Sequence, residues 1–109
     1  MAPDLHPLIS DFVEASNARD TDRLLALFSD DAVVRDEGNE YRGIDRIRAW
    51  RADVEAKFTF TTTPREVVDQ GDETVLIGSL AGDFPGSPVD LEHRFTLAGD
   101  RITALTIQP

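Results

Sequence analysis

Hydrophobic positions near the start of the chain recur with a helical period. Apolar and small residues at positions 5, 8, 9, 12, 13 and 16 follow the i, i+3, i+4 spacing of one helical face. We therefore expect a first helix over about residues 4–18, with Asp4 as a plausible N-cap. A second, shorter helix is expected after Asp20 or Thr21 as its cap. Its apolar residues are Leu24, Leu25, Leu27 and Phe28.

The segment AVVRD, residues 32–36, is typical of a strand. Side chains alternate between the two faces of a strand, so if Arg35 points to water, Val34 and Asp36 both point inward. A third helix is predicted over residues 44–58. Its apolar side is expected to carry Trp50, and its charged residues are spaced for pairing on the exposed side.

From residue 58 onward the helical period is replaced by alternation. Four segments, FTFTTTP, ETVLIGSLAG, VDLEHRFTL and RITALTIQP, are typical of strands, and the turn AGD joins the last two. In VDLEHRFTL, the residues Val89, Leu91, His93, Phe95 and Leu97 share one face, and Asp90, Glu92, Arg94 and Thr96 share the other. Helices first and strands afterwards predict an α+β fold, a single domain over residues 1–109 with helices on one face of an antiparallel sheet.

Composition narrows the classes of partner. The 109-residue chain has a formal net charge of -10 and no cysteine, so we expect neither nucleic-acid nor anionic-membrane binding, and disulfides and thiolate chemistry are excluded. With only two histidines, a histidine-rich metal site is not expected. The N-terminal residues lack the pattern of a signal peptide, and no segment has the length of a transmembrane helix. These features favour a cytoplasmic protein.

Three stretches carry a resemblance to a known family: FVEASNARDTDRLLALFSDDAVVRDEG, YRGIDRIRAW and EHRFTLAGDRITAL. Together they resemble the SnoaL-like and ketosteroid-isomerase-like branch of the nuclear-transport-factor-2-like superfamily. The resemblance implies a cone: a curved antiparallel sheet, of the cystatin-like kind, wrapped around N-terminal helices and enclosing an apolar pocket. It also implies a small-molecule ligand, no metal or organic cofactor, and a homodimer formed through the outer sheet face.

The members of this superfamily differ in activity, so the resemblance does not name a reaction. They include ketosteroid isomerases, polyketide cyclases, limonene epoxide hydrolases, dehydratases and non-catalytic binding or assembly domains. Asp36 falls where the isomerase branch carries its proton-shuttling aspartate. Such a base must be held against the substrate and partly shielded from water. The alternative is that Asp36, Glu37 and Gly38 simply end a strand in a turn.

The chain departs from the isomerase pattern at the oxyanion hole. By the resemblance, the first-helix tyrosine of that branch aligns with Phe12 and its protonated acid aligns with Leu91, and neither residue can donate a hydrogen bond. Steroid isomerisation in its known form is therefore not expected. His93 is the best remaining polar group on the inward face. It is either an acid-base partner of Asp36 or a core histidine bonded to a backbone carbonyl.

The expected catalytic pair is thus Asp36 and His93. The expected ligand contacts are Phe12, Phe28, Val34, Tyr41, Trp50, Leu91 and Phe95. Core packing is the alternative for the apolar members of this set, whereas Tyr41 and Trp50 each also offer a donor. Two functions stay open: a domain that binds a small apolar or carbonyl-containing molecule and catalyses isomerase- or cyclase-type proton transfer, or a non-catalytic ligand-binding or dimerisation module.

Overall fold

The computed structural model describes residues 4–109. The expectation that the N-terminus is not a signal peptide rests in part on residues 1–3, which lie outside the described residues. Two helices, two strands and a third helix come first, and four strands complete the chain. The elements are α1 (Pro7–Asn17), α2 (Thr21–Leu25), β1 (Phe28–Asp36), β2 (Asn39–Arg42), α3 (Ile44–Lys57), β3 (Phe60–Asp69), β4 (Thr74–Gly82), β5 (Val89–Ala98) and β6 (Arg101–Gln108). The predicted α+β class is confirmed.

Two helix ends differ from their predicted positions. His6, not Asp4, caps α1: its Nδ1 accepts a hydrogen bond from the backbone N–H of Leu8 at 3.1 Å. Pro7 then opens the helix, where its missing N–H costs nothing. The second helix is shorter than predicted. It ends at Leu25, and Phe28 already belongs to β1, where it pairs with Ile102 of β6.

The six strands form one open sheet in the order β2-β1-β6-β5-β4-β3. All neighbours are antiparallel except β1 and β6, which run parallel. The sheet is therefore mixed rather than antiparallel throughout. Register shifts interrupt the β1–β6, β3–β4 and β5–β6 ladders. Irregularities of this kind bend strands and increase their twist, which gives the sheet its curvature.

The short strand β2 was not predicted. It pairs with β1 through a two-residue turn at Glu37 and Gly38, with Asp36 opposite Asn39. Both turn residues have positive φ, 53° and 79°, as the tight turns that match strand twist require. This hairpin fixes the end of β1, and therefore the position of the Asp36 side chain.

The core lies between the helices and one face of the sheet. Its largest fully buried side chains come from all of these elements: Phe95, Ile9, Leu24, Ile47, Leu76, Ile102, Leu105 and Val34. On β5, His93 and Phe95 are buried, whereas Arg94 between them is only half-buried and pairs with Glu73 and Glu92 on the other face. The alternation predicted for β5 is confirmed by this burial.

Asn17 ties the end of α1 to the edge strand β3. Its amide nitrogen donates to the Thr62 carbonyl at 2.9 Å, and its amide oxygen accepts from the Thr62 N–H at 2.8 Å. Both backbone groups of Thr62 face away from β4 and would otherwise lie on an unpaired sheet edge. These two hydrogen bonds, which we call the Asn17 clamp, therefore set the separation between α1 and β3. Within residues 4–109, no helix combines the length and apolar character needed to cross a membrane.

Candidate ligand-binding site

A cavity of about 300 Å³ lies between α1, α3 and the inner face of the sheet. This volume is at the lower end of the range for small-molecule sites. Aromatic side chains form much of its wall: Phe12, Tyr41, Trp50, Phe58, Phe60 and Phe84. The polar groups that reach it include Asp36, His93 and Arg51. An apolar, aromatic wall with a few polar groups suits a small molecule that carries one or two polar atoms.

Asp36 lines the cavity from the last position of β1. Its Oδ2 accepts a hydrogen bond from the indole Nε1 of Trp50 at 3.0 Å. Asp36 therefore ends a strand before a turn and also faces the cavity. The indole N–H holds one carboxylate oxygen in place and leaves the other for a ligand.

Trp50 and Tyr41 form the wall next to Asp36. Their ring centroids are 6.3 Å apart, and Trp50 is buried while Tyr41 is half-buried. Trp50 is predicted from its helical spacing to lie on the apolar side of α3, and it does. Its indole N–H is nevertheless committed to the carboxylate of Asp36, so the residue combines packing with orientation of a polar group.

His93 is buried in the cavity wall, with a relative exposure of 4%. Its Nδ1 lies 3.2 Å from the carbonyl oxygen of Leu91. Because a carbonyl only accepts hydrogen bonds, we assign the ring proton to Nδ1, which leaves Nε2 as an acceptor. His93 is therefore bonded to a backbone carbonyl, as one of the two predicted alternatives has it, and it also lines the cavity.

Burial lowers the pKa of His93 from its ordinary value of 6.5, because the charged ring would be poorly solvated. The carbonyl of Leu91, which accepts from the ring at 3.2 Å, opposes this effect, as do the backbone of Leu76 and the charge of Asp36. Loss of solvation is the largest of these influences. His93 is thus neutral near pH 7 and offers a ligand an acceptor rather than a standing positive charge.

The structure separates the predicted ligand contacts into two groups. Phe12, Tyr41, Trp50 and Leu91 line the cavity together with Asp36 and His93. Phe28, Val34 and Phe95 are placed instead in the packed core behind the wall, with relative exposures of 3%, 0% and 0%. The ring of Phe12 packs edge-on against Phe95 at a centroid distance of 5.2 Å. It therefore stands between Phe95 and the cavity.

Arg51 is a cavity residue that sequence reasoning missed. The charged residues of α3 were expected on its exposed side, yet the side chain of Arg51 is only 4% exposed. Its Nε donates to Glu55 at 2.8 Å, and its Nη2 donates to the backbone oxygen and the hydroxyl of Ser16, both at 3.1 Å. The i, i+4 spacing of Arg51 and Glu55 was visible in the sequence, but such pairs usually lie in solvent.

Residues 4–109 contain no cluster of three or more potential metal-binding side chains. Near the cavity mouth, Lys57 pairs with Asp53 at 3.0 Å. The hydrogen bond that Lys57 donates to Asp53 and the negative charge of Asp53 raise the pKa of Lys57. The mouth also carries the rings of Phe58 and Phe84, whose centroids are 6.1 Å apart.

Comparison with known proteins identifies the family. The model of the SnoaL-like domain family matches residues 9–105, and the chain therefore belongs to this family. A solved structure from Sinorhizobium meliloti, provisionally described as a polyketide cyclase, is 35% identical, with 96% of each chain covered and a TM-score of 0.92. No curated protein matches the sequence.

More distant structures share the fold. A Catenulispora acidiphila protein with a ketosteroid-isomerase-like fold, solved with trimethylamine, is 19% identical; the match covers all of this chain and 87% of that one, with a TM-score of 0.82. TerC, solved with polyporic acid, is 20% identical over 92% of this chain and 86% of its own, with a TM-score of 0.78. The nuclear-transport-factor-2-like architecture expected from the resemblance is confirmed.

Proposed function

We propose that this protein binds a small, largely apolar molecule with a carbonyl group in its cavity and catalyses proton transfer at carbon. The observation that carries the proposal is the meeting of Asp36 and His93 in one aromatic cavity. A carboxylate oriented by Trp50 can remove and return the proton, and a neutral imidazole beside it can accept a hydrogen bond from the ligand. A ligand in the cavity would displace water from both.

The proposed reaction conserves atoms and electrons without a cofactor. The free oxygen of Asp36 removes a proton from the carbon next to the carbonyl, and the C–H electron pair forms the double bond of an enolate. Where a second double bond is conjugated with the enolate, the protonated Asp36 returns the proton at a different carbon, which gives an isomer. In a cyclisation, the enolate carbon attacks a second carbonyl, the π pair of that carbonyl moves to its oxygen, and Asp36 returns the proton to this oxygen, which gives a ring with a hydroxyl group. His93 assists by accepting a hydrogen bond from a ligand hydroxyl at Nε2.

The related structures support a small-molecule ligand of this chemistry. The 35% identical S. meliloti protein is provisionally described as a polyketide cyclase, and TerC was crystallised with polyporic acid. Ring closure of a polyketide begins with removal of a proton next to a carbonyl. Steroid isomerisation in the known manner is not proposed, because Phe12 and Leu91 stand at the positions of the two missing donors.

Deuterium exchange tests the proposal directly. The probe is 2-tetralone, a bicyclic ketone with acidic C–H groups, incubated in D₂O and followed by proton NMR. Wild-type protein should accelerate the loss of these proton signals, and Asp36→Asn should reduce the acceleration by about 100-fold or more, the typical contribution of general-base catalysis. The matched control is Asp31→Asn, an exposed carboxylate on the same strand.

The exchange experiment also decides between the two functional classes. Asparagine keeps the acceptor for the Trp50 N–H, so Asp36→Asn should still bind 2-tetralone. If wild-type protein binds 2-tetralone without accelerating exchange, then the non-catalytic binding module is the better description. If Asp31→Asn loses as much activity as Asp36→Asn, the assigned base is wrong.

We also propose a homodimer through the outer face of the sheet. This face carries Arg94 and Glu92 in an ion pair at 3.1 Å, with the half-buried Thr96 and Ala104 paired beside them. Small and polar side chains at the centre leave the face flat enough for a second copy. The opposing contribution is charge, since each chain carries a formal -10.

A further inference from the structure

The guanidinium of Arg51 is held between two helices at the cavity wall. Glu55 accepts from Nε at 2.8 Å, and Thr21 of α2 in turn donates to Glu55 at 3.2 Å. On the other side, Nη2 donates to Ser16 at the end of α1. The plane of the guanidinium is therefore determined by contacts to both α1 and α3, and its carbon lies 5.8 Å from the ring centroid of Phe60.

One nitrogen of this group is left over. Nε and Nη2 account for all hydrogen bonds that Arg51 makes to residues 4–109. In that part of the chain, no fully shielded side-chain nitrogen or oxygen lacks a partner. Nη1 therefore cannot be fully shielded. The side chain is 96% buried, and the residue lines the cavity.

We infer that Arg51 is a ligand-binding residue whose Nη1 donates to the carbonyl oxygen of the ligand. This inference rests on the proposed function and deepens it. Consecutive residues of a helix point about 100° apart, so Trp50 and Arg51 reach different parts of the cavity from neighbouring positions on α3. A ligand between them would have its acidic C–H group near Asp36 and its oxygen near Arg51.

This arrangement replaces the donors that the isomerase pattern lacks. When Asp36 removes a proton, negative charge develops on the ligand oxygen, and a preorganised donor at that oxygen lowers the barrier. A hydrogen bond from a charged donor in a dry site is stronger than one from a neutral hydroxyl. Arg51 therefore does from α3 what a tyrosine on α1 and an acid on β5 do in the isomerase branch.

The same charges indicate a neutral ligand rather than a carboxylate. Glu55 balances the charge of Arg51, and Asp53 balances that of Lys57. Asp36 and Glu37, which also line the cavity, take part in no ion pair among residues 4–109. An anionic ligand would meet this excess negative charge, whereas a ketone gains the hydrogen bond from Nη1 without it.

A pair of probes isolates the role of the oxygen. 2-Tetralone and tetralin share one ring skeleton and differ in the carbonyl. Trp50 is the only tryptophan, so its indole N–H gives a single NMR signal that reports on occupancy of the cavity for either probe. Arg51→Met should weaken binding of 2-tetralone about tenfold and change binding of tetralin less than twofold. Arg48→Met, an exposed arginine on the same helix, should change neither.

The ratio of the two affinities keeps the test clear of folding effects. If Arg51→Met is unstable because Glu55 loses its partner, the double variant Arg51→Met/Glu55→Gln removes both charges and should show the same loss of preference for the ketone. Equal weakening of both probes, or an unchanged ketone preference, would overturn the role of Arg51 while leaving the cavity intact. Failure of wild-type protein to bind either probe would overturn the proposed function and this inference together.

Discussion

Replacing His93 with asparagine should flatten the dependence of protein stability on pH below the ordinary histidine pKa of 6.5. In the folded protein, burial lowers the pKa of His93 below 6.5, whereas in the unfolded chain the ring returns to its ordinary value. As the pH falls below the ordinary value, the unfolded chain takes up a proton that the folded protein does not. The contribution of His93 is therefore fully present above pH 6.5 and is lost as the pH falls through the folded pKa.

The size of the effect follows from one proton. A difference of a single bound proton changes the free energy of unfolding by at most about 1.4 kcal/mol for each pH unit. The effect of His93 is confined to pH values between its ordinary pKa and its lowered one, where the unfolded chain carries the proton and the folded protein does not. The stability of the wild-type protein should therefore decline steeply in this interval, and the decline contributed by His93 should be absent from the variant.

Urea unfolding measured at half-unit steps of pH checks this prediction. His93→Asn places an amide N–H near the position of Nδ1, so that the Leu91 carbonyl keeps a donor without a titrating group. His93→Gln, a second non-titrating variant, should give the same shallow dependence on pH. The absolute stability of either variant is not the test. If all three proteins lose stability in parallel as the pH falls, the claim that His93 is held neutral by burial is wrong.

Two further predictions concern the scaffold and the assembly. Asn17→Ala removes both hydrogen bonds to the Thr62 backbone and should lower the free energy of unfolding by about 1–2 kcal/mol, because these bonds lie at a partly exposed edge. The control is Asn39→Ala, because the Asn39 side chain makes only one long hydrogen bond of 3.5 Å; this variant should cost less than about 0.5 kcal/mol in the same urea titration. Equal losses in the two variants would refute the role of Asn17. For the proposed dimer, sedimentation velocity should show two copies per particle and an affinity that rises with salt as the like charges are screened, whereas a monomer at every salt concentration would contradict it.

Much of the fold followed from periodicity in the sequence. The long helix α3 and the strands β4, β5 and β6 each have a regular apolar pattern over eight or more residues, and all four lie within a few residues of their predicted bounds. The strand β2 has four residues and an exposed, polar sequence, so it carries no such pattern. The parallel pairing of β1 with β6 was missed for a different reason, since pairing between distant strands leaves no local signal.

The candidate site was predictable to the extent that alternation determines the face of a residue. Asp36 and His93 were both assigned inward positions from the period of two, and both reach the cavity. Alternation along a strand does not distinguish residues of the cavity wall from residues of the core. Phe95 shares a strand face with His93, yet it packs against Phe12 in the core and does not line the cavity. Arg51 was missed because its burial depends on Glu55 and Ser16, and the latter is 35 residues away in sequence.

A crystal structure of the protein soaked with 2-tetralone would test the central claim most directly. We expect the bicyclic ring inside the cavity among the aromatic side chains, with an acidic carbon beside the free oxygen of Asp36. The ketone oxygen should lie within hydrogen-bonding distance of Arg51 Nη1. A ketone bound outside the cavity, or one whose acidic carbons point away from Asp36, would contradict the account.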